Sequence, residues 1–548
     1  MNIYNQKLLI ETRDSTNEML TFDDEFIESK IQTNLESFNT TTNEWDLAYA
    51  AKKSNGEIKF AEPNLDNKYH FENTVFDDTL ESLSAEELCK RNNGFELNWP
   101  YPKDTANKPV HSIWHLGDEY SQLKSARDSI SNPSHIVRIA HFDTGYDPVH
   151  TIYADSLMRH DLEKNFIEGE PANKALDSRE INFGENPGHG TGTLSILAGK
   201  SIAIPNYNFN DSIGLAKGIE IVPVRIAKSV VLFKNSSFVK ALEYIISLYD
   251  NPATRCHIIT MSMGGLPSKA WADVVNKAYE KGIFIVTAGG NNLGRLSPRT
   301  LIYPARFNRV VAACGVTYDY SPYYKEFDLQ DIKTMQGNFG PRKLMRTAIA
   351  AFTPNMPWAK IGCGNAISLA GAGTSSATPQ VASAAAIYYQ KYFTELEGMA
   401  KGWMRIEAIR NALFKSAAKK ISSADNDVEL YFGTGVLQAK KMLDIKPDSA
   451  GLTKEQEDKI SWPLFKLLTD ISFNEAFMLE TMDPELREMY ETEITQLIQQ
   501  STQLQALLDN EEKELDDLTV EEQHRFKEII LSMPQASQAL KDLLLKAS

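Results

Sequence analysis

The central part of this 548-residue chain is predicted to be α/β, with a mostly parallel sheet and helices on both faces. Short β-rich runs alternate there with segments of helical spacing. The strand-like runs are HIVRIAHFDTG, IEIVPVRIA, CHIITMSMGG and IFIVTAGG, and the helical segments are SSFVKALEYIISLYD and WADVVNKAYEKG. This alternation indicates parallel strands joined by crossover helices. Ligands of such sheets bind beyond the carboxyl ends of the strands, where DTG, SMGG and AGGNN stand in this sequence.

The two flanking regions differ in character from the centre. Residues 1–66 predict a small α+β unit, with strands in QKLLIET and EIKFAEP and helices in DDEFIESKIQTNL and NEWDLAYAAKK. Residues 67–109 are expected to be an irregular linker, and residues 110–446 to form the central domain. Residues 447–548 predict an acidic helical domain whose apolar stripe needs a partner surface. The stripe consists of Ile494, Leu497, Ile498, Leu504, Leu507 and Leu508.

Charge restricts the classes of partner. The net charge of −16 divides into −10 over residues 1–110, −12 over 446–548 and +6 between them. The acidic flanks serve solubility, or one of them docks on the basic centre with electrostatic help. A nucleic-acid partner is not expected, because no basic stripe is present. A membrane span is not expected either, because no apolar run approaches the roughly 18 residues that a span requires.

The cysteines and the first residues bear on location. The N-terminus has no basic region followed by an apolar stretch, so a Sec-type signal peptide is not expected. Cys89, Cys256, Cys314 and Cys363 show no metal-ligand spacing, and we expect free thiols in a reducing compartment. Together these observations predict a cytoplasmic location.

Three central segments contain candidate catalytic side chains. Asp143 ends an apolar strand before Thr-Gly, where a turn-capping role is the alternative. His189 lies between glycines at a predicted helix start, where a histidine can also be purely structural. The stretch GAGTSSATPQVASAAA predicts either a tight helix-packing seam or a nucleophilic Ser375 or Ser376. A helix N-terminus there favours developing negative charge on a serine oxygen.

Aspartate, histidine and serine together supply what acyl transfer needs. A base must remove the serine proton, and a buried carboxylate orients the imidazole and stabilises its cation. The segments DTG, GHGTGT, SMGG, AGGNN and GTSSATPQVA resemble, in this order, the signature segments of the subtilases, the subtilisin-like serine peptidases. The resemblance runs from about residue 110 to 443 and implies a subtilisin-like fold.

The resemblance also implies a role for each matched position. Asp143 would be the orienting acid, His189 the general base and acid, and Ser375 the nucleophile. Asn291 would donate to the oxyanion hole together with the Ser375 backbone N–H. Ser376 occupies the position where relatives often carry methionine, and its replacement by alanine is expected to leave most activity.

The substrate site is implied in the same way. An extended peptide would pair with the backbone of Ser262, Met263 and Gly264. Those residues and Ala288, Gly289 and Gly290 would wall the P1 pocket, with Ile302 at its floor. Because no acid matches that floor, an apolar or small P1 residue is expected rather than a dibasic site.

Two further features of the resemblance bear on metal and on regulation. NFNDSIGLAKG matches the region of a frequent calcium loop but is shorter, with Asp211 as its one acid, so we expect no cofactor and no metal, calcium being the alternative. Many family members carry a second histidine directly after the HGT motif, and this sequence has Gly192 at that position. EWDLAYAAKKSNGEIKFAEPNL resembles the end of a subtilase propeptide, and a permanent small domain is the alternative.

The sequence thus predicts a serine endopeptidase that hydrolyses protein or peptide substrates through an acyl-enzyme. Its N-terminal unit and its helical tail, the latter with a regulatory protein partner, are expected to control it. Two alternatives stay open. One is a catalytically silent subtilase scaffold that acts as a protein-binding module. The other is a protease that is inactive until a partner binds the tail.

Overall fold

The structure is a computed structural model that describes most of the chain. The described residues are 8–13, 43–65, 89, 98–103, 105–106, 113–130, 133–178, 186–204, 209–215, 217–230, 234–293, 298–325, 334–422, 427–461 and 482–546. The predicted helix in DDEFIESKIQTNL and most of the predicted linker lie outside them.

Fifteen strands and fourteen α-helices are formed by the described residues. The strands are β1 Leu8–Thr12, β2 Ile58–Pro63, β3 Val137–Asp143, β4 Lys164–Asn165, β5 Ser201–Ile204, β6 Phe209–Ser212, β7 Ile219–Arg225, β8 Ile258–Met261, β9 Phe284–Ala288, β10 Asn291–Leu293, β11 Val311–Val316, β12 Met335–Gly337, β13 Ala348–Phe352, β14 Met356–Ala359 and β15 Ile367–Gly371. The helices are α1 Glu44–Ser54, α2 Leu123–Asp128, α3 His189–Ala198, α4 Asn235–Ser247, α5 Lys269–Lys281, α6 Thr374–Lys391, α7 Phe393–Glu397, α8 Gly402–Ser416, α9 Val428–Phe432, α10 Ala439–Met442, α11 Pro484–Gln500, α12 Thr502–Leu507, α13 Val520–Ser532 and α14 Gln538–Lys546.

Seven strands build the central sheet in the order β13-β11-β9-β8-β3-β7-β4. Every neighbouring pair in it is parallel. The predicted α/β class with a parallel sheet is therefore confirmed. Parallel strands need crossover connections, which brings the carboxyl ends of β3, β8 and β9 to one edge of the sheet.

Helices cover both faces of this sheet. The side chains of each strand alternate between the two apolar cores that these helices form with it. Val137 and Ile139 enter the core that α3, α6 and α8 cover. Ala140 and Phe142 enter the opposite core, which α4 and α5 cover. Since side chains of a strand alternate, odd-numbered residues of β3 point toward α3 and α6. Asp143 is one of these odd-numbered residues.

The N-terminal unit and the C-terminal helices share one apolar core. β1 and β2 pair antiparallel, and α1 packs beside them. Leu8, Trp45 and Phe60 of this unit lie in the same cluster as Ile494 and Leu497 of α11. The helical C-terminal region is present as predicted, and its apolar stripe lies in a core shared by the N-terminal unit and the other C-terminal helices. The domain boundaries at residues 66, 109 and 446 stay predictions.

The expectation of four free thiols is wrong for two of the cysteines. Cys89 and Cys363 form a disulfide, whereas Cys256 and Cys314 are free and buried. The paired cysteines stand 274 residues apart, so no local spacing could reveal their contact. The cytoplasmic location stays a prediction, and one of its two supports is removed. In the described part of the chain, no helix combines the length and apolar character needed to cross a membrane.

Candidate active site

Asp143 is the last residue of β3 and is completely buried. Its Oδ1 accepts hydrogen bonds from His189 Nδ1 at 2.7 Å and from the Thr144 backbone N–H at 2.8 Å. Burial alone would raise the pKa of Asp143, but the adjacent His189 imidazole, its hydrogen bond, and His141 hold that pKa below the usual value. The carboxylate is therefore ionised at neutral pH and oriented toward the histidine.

His189 begins α3 and is brought onto Asp143 by close backbone packing. A Cβ at Gly190 would lie 2.0 Å from the carbonyl oxygen of Gly145, so only glycine permits this approach of α3 to the end of β3. The bond from Nδ1 to Asp143 leaves Nε2 as the nitrogen free to accept a proton. His189 is thus held in the tautomer that a general base requires.

The Trp358 indole explains why position 192 is a glycine. A Cβ at Gly192 would lie 1.9 Å from the Trp358 ring, which stands edge to face with the His189 imidazole at 5.4 Å between centroids. Trp358 belongs to β14. The space that a larger residue at position 192 would need is therefore filled by Trp358, which also limits how the histidine ring can move.

Ser375 lies in the first turn of α6 and is almost fully buried. Its Oγ donates to the Ser262 carbonyl at 3.2 Å, and Ser262 Oγ donates to the Ser375 carbonyl at 3.0 Å. Among the described residues, the hydrogen-bond partner of Ser375 Oγ is this carbonyl rather than the His189 ring. Ser376 instead points into the core, where its Oγ contacts the Gly373 carbonyl at 2.9 Å.

Asn291 follows the end of β9 and faces the start of α6. Its Oδ1 accepts from the Thr374 backbone N–H at 2.9 Å, so the two amide hydrogens remain available as donors. The strand β10 that carries Asn291 pairs antiparallel with β12, Asn291 lying opposite Gly337. The supporting strand β12 belongs to the segment between β11 and β13.

The predicted substrate residues lie at the carboxyl ends of β8 and β9. Ser262, Met263 and Gly264 follow β8, and Ala288, Gly289 and Gly290 end or follow β9. Ile302 reaches between them: its Cδ1 lies 2.2 Å from the position of a Cβ at Gly264 and 3.0 Å from one at Gly290. The structure thus brings both glycine segments and Ile302 together.

Asp211 is poorly suited to calcium. Its carboxylate accepts from Arg127 Nη2 at 3.1 Å and forms a second, short contact with Lys124 Nζ. Two cations already neutralise the only acid of that segment, whereas Ca²⁺ takes six to eight oxygen ligands. Among the described residues, no group of three or more histidine, cysteine, aspartate or glutamate side chains could hold a metal. The absence of a cofactor stays a prediction.

Sequence reasoning missed three buried residues around the aspartate. Asp177 accepts from Thr144 Oγ1 at 2.7 Å and from the Gly188 N–H at 2.8 Å, and burial raises the pKa of Asp177 to about 7. Thr193 Oγ1 contacts both the Oδ2 of Asp143 and the Nε2 of His141. A signal for His141 existed, because residues two apart on a strand share a face. Thr193 left a signal of the same kind, since residues four apart on a helix share a face, whereas Asp177 left none.

Comparison with known proteins identifies the class. The sequence profile of the subtilase family matches residues 135–435, more than half of the chain, and the chain belongs to that family. It is 24% identical to subtilisin DY of Bacillus licheniformis over 312 residues, which are 56% of this chain and 89% of that protein.

Two further relatives match over smaller shares. The extracellular serine proteinase of Thermus sp. strain Rt41A is 29% identical over 208 residues, 38% of this chain and 42% of that protein. Subtilisin E of Bacillus subtilis strain 168 is 25% identical over 291 residues, 51% of this chain and 65% of that protein. The chain therefore spans less than two thirds of both of these relatives. Family membership supports serine peptidase activity at the level of the class.

Proposed function

We propose that this protein is a serine endopeptidase acting through Asp143, His189 and Ser375. The observation that carries the proposal is the 2.7 Å hydrogen bond from His189 Nδ1 to the buried Asp143 carboxylate, together with Ser375 at the start of α6, a helix that packs on α3. This pair orients one imidazole nitrogen as a base, and the first turn of α6 supplies a nucleophile. Apo hydrogen bonds to a nucleophile are often absent and form only with substrate bound, so the Ser375–Ser262 bond is compatible with this role.

The reaction proceeds in two halves. His189 Nε2 takes the proton from Ser375 Oγ, which adds to the scissile carbonyl and gives a tetrahedral oxyanion. Donors at the oxyanion are Asn291 Nδ2 and the Ser375 backbone N–H, which lies in the first turn of α6 and has no acceptor within the helix. The protonated His189 then gives its proton to the leaving amine, so that the C–N bond breaks and an acyl-enzyme remains. Water, deprotonated by the same imidazole, adds to the acyl carbon, and the imidazolium returns the proton to Ser375 Oγ as the ester bond breaks and the acid leaves.

Substrates of this site are protein or peptide chains bound in extended form. Ser262, Met263 and Gly264 would supply the backbone groups for pairing, as expected from the sequence. Ile302 occupies the space between Gly264 and Gly290, which leaves room for a small P1 side chain. The pocket residues present no acid to a basic P1 residue, which supports the preference for small apolar ones.

The N-terminal unit is proposed to inhibit this site before activation. Glu62 accepts from Ser268 Oγ at 2.9 Å and from the backbone N–H groups of Lys269 and Ala270 at 3.1 and 2.9 Å. Asn64 accepts from the Ser236 N–H at 2.9 Å. Two residues of one short segment therefore cap the N-termini of α5 and α4, which satisfies donors that a helix start leaves without partners.

The C-terminal helices are proposed to hold that unit in place. Their shared apolar core is supplemented by a bond from Tyr49 Oη to Glu493 at 2.8 Å, and both residues are buried. The turn after α12 contacts the peptidase domain, where Glu511 pairs with Arg306 and accepts from Thr300 Oγ1 at 3.2 Å. A partner that displaces these helices would weaken docking of the N-terminal unit, which is the route by which a partner-activated protease would work.

Hydrolysis of a fluorogenic peptide with alanine at P1 tests the proposal. Once the N-terminal unit is displaced, wild type and Ser376→Ala are expected to cleave it, whereas Ser375→Ala is expected to be inactive. Ser376 is the matched control because it is the adjacent buried serine and bonds to the core. Binding of the peptide without cleavage by wild type would favour the alternative of a catalytically silent scaffold.

A further inference from the structure

The two oxygens of the Asp143 carboxylate are contacted by different elements. Oδ1 accepts hydrogen bonds from His189 Nδ1 and from the Thr144 backbone N–H. Oδ2 lies 3.0 Å from Thr193 Oγ1, one turn along α3 from His189. Thr193 Oγ1 is in turn 2.8 Å from His141 Nε2, while His141 Nε2 and Asp143 Oδ2 are 3.9 Å apart. The hydroxyl therefore lies between the second histidine and the aspartate.

Chemistry determines the direction of these hydrogen bonds. An ionised carboxylate only accepts, so the single hydroxyl hydrogen of Thr193 must point to Oδ2 for that contact to be favourable. Thr193 Oγ1 then presents lone pairs to His141, and His141 Nε2 must carry a hydrogen. Burial lowers the pKa of His141 to about 4, so this imidazole is neutral at pH 7 and can supply that one N–H. The chain runs His141 to Thr193 to Asp143, each member donating to the next.

We propose that Thr193 and His141 are positioning residues for the reaction, holding the second oxygen of Asp143 so that the first stays on His189. This assignment rests on the proposed function. All three side chains are nearly or fully buried, so water does not compete for these bonds. A charge-assisted bond to Oδ2 favours the ionised carboxylate and prevents rotation of the carboxyl group away from the imidazole.

A purely structural role for Thr193 makes a different prediction. Threonine hydroxyls in helices often bond to a carbonyl one turn back, and Thr193 Oγ1 also lies 3.2 Å from the Gly190 carbonyl. If that contact were its whole function, removing the hydroxyl would lower stability without changing the titration of the site. The charged and titratable groups facing Asp143 are His189 from α3, His141 from β3, and Asp177 through Thr144.

The test measures kcat/KM against pH for a fluorogenic alanine-P1 peptide. Thr193→Val is expected to lower kcat about ten-fold with KM unchanged, since a hydrogen bond to a charged group is lost. The acid limb of the variant's kcat/KM profile is expected to move to higher pH, because the ionised carboxylate of Asp143 loses a hydrogen-bond donor. Thr193→Ser is expected to restore both parameters. His141→Val should shift the acid limb less, and adding it to Thr193→Val should change nothing further.

Thr492→Val is the matched control, because Thr492 is a buried helical threonine whose hydroxyl donates to the Glu488 carbonyl at 2.8 Å. It should keep the wild-type profile. A Thr193→Val enzyme with the wild-type acid limb, or effects of the two substitutions that add, would overturn the assignment alone. Inactivity of both the wild type and a Gln496→Ala variant, which loses the contacts of Gln496 with Trp45 and Pro267, would overturn the proposed function and the assignment with it. If Thr193→Val does not fold, the acid limb of His141→Val decides: an unshifted limb overturns the assignment.

Discussion

Gln496 accepts a hydrogen bond from Trp45 Nε1 at 2.8 Å, although 451 residues separate the two in the chain. The same amide donates from Nε2 to the Pro267 carbonyl at 2.8 Å. Pro267 follows the predicted substrate segment 262–264 and precedes α5. One buried side chain of the C-terminal helices therefore joins the N-terminal unit to the peptidase domain beside the cleft, and this contact underlies the proposed regulation.

Gln496→Ala is expected to increase reaction of Ser375 with a fluorophosphonate. Loss of two buried hydrogen bonds, each contributing about 1 kcal/mol, weakens docking of the N-terminal unit by roughly thirty-fold. The measurement is the second-order labelling rate of the full chain. Gln500→Ala serves as the control, since Gln500 lies on the same helix and donates to the Gln496 backbone carbonyl at 3.1 Å. Equal labelling rates for wild type and Gln496→Ala would argue against inhibition by the docked unit.

Asn291→Ala is expected to be severely impaired but not inactive. Removing one oxyanion donor of this kind costs about 10²–10³ in kcat, with little effect on KM, because the bond forms in the transition state. Steady-state kinetics on the alanine-P1 peptide provide the measurement. An increase in KM at unchanged kcat would instead assign Asn291 to ground-state binding. The thermal midpoint of the variant checks that the Thr374 contact is not essential for folding.

Shortening Ile302 is expected to widen the P1 preference. The series Ile302→Val, Ile302→Ala and Ile302→Gly progressively empties the space between Gly264 and Gly290. Relative kcat/KM for leucine over alanine at P1 should rise along this series, since one methylene in an apolar pocket changes discrimination by about 10-fold or more. Profiling with a set of peptides that differ only at P1 tests this. A preference that does not change along the series would place the P1 pocket elsewhere.

Stability is expected to fall in mild acid because of His257. Its Nδ1 accepts the Arg138 backbone N–H at 3.0 Å, and burial lowers the pKa of His257 to about 3. Below pH 6.5 the unfolded chain binds a proton at this position that the folded protein does not, so the free energy of unfolding falls as pH decreases from about 6.5. Near pH 4.5 the loss from this group is about 2 kcal/mol.

His257→Asn tests this dependence, since the asparagine Oδ1 can accept the same N–H. The variant should be less stable than wild type at pH 7.5 but lose less stability between pH 6.5 and 4.5 in thermal unfolding. The exposed His524→Gln is the matched control. An equal slope for wild type and His257→Asn would contradict the assignment of the acid sensitivity to His257.

Some of the site was predictable because its chemistry leaves a local trace. Asp143 ends an apolar strand, His189 stands between glycines at a helix start, and Asn291 follows the apolar strand β9. Their proximity follows from the parallel sheet, which brings strand ends to one edge. Thr193 contacts Asp143 through the packing of α3 on β3, which no sequence pattern reports.

The relation between the two ends of the chain was beyond sequence reasoning for a related reason. An amphipathic stripe such as Leu497 and Ile498 shows that a helix face must be covered, but not by what. In the structure, the N-terminal unit and the other C-terminal helices cover it together. The Cys89–Cys363 disulfide, 274 residues apart, depends on the same kind of long-range contact.

Ser375 is proposed to be a nucleophile that His189 and Asp143 activate. The most direct test of this role is peptide mapping of the full-length protein after reaction with a fluorophosphonate. We expect a single covalent adduct on Ser375 that His189→Ala and Asp143→Ala suppress and that Ser376→Ala retains. An adduct on Ser376, or an unlabelled Ser375 in both wild type and Gln496→Ala, would contradict it.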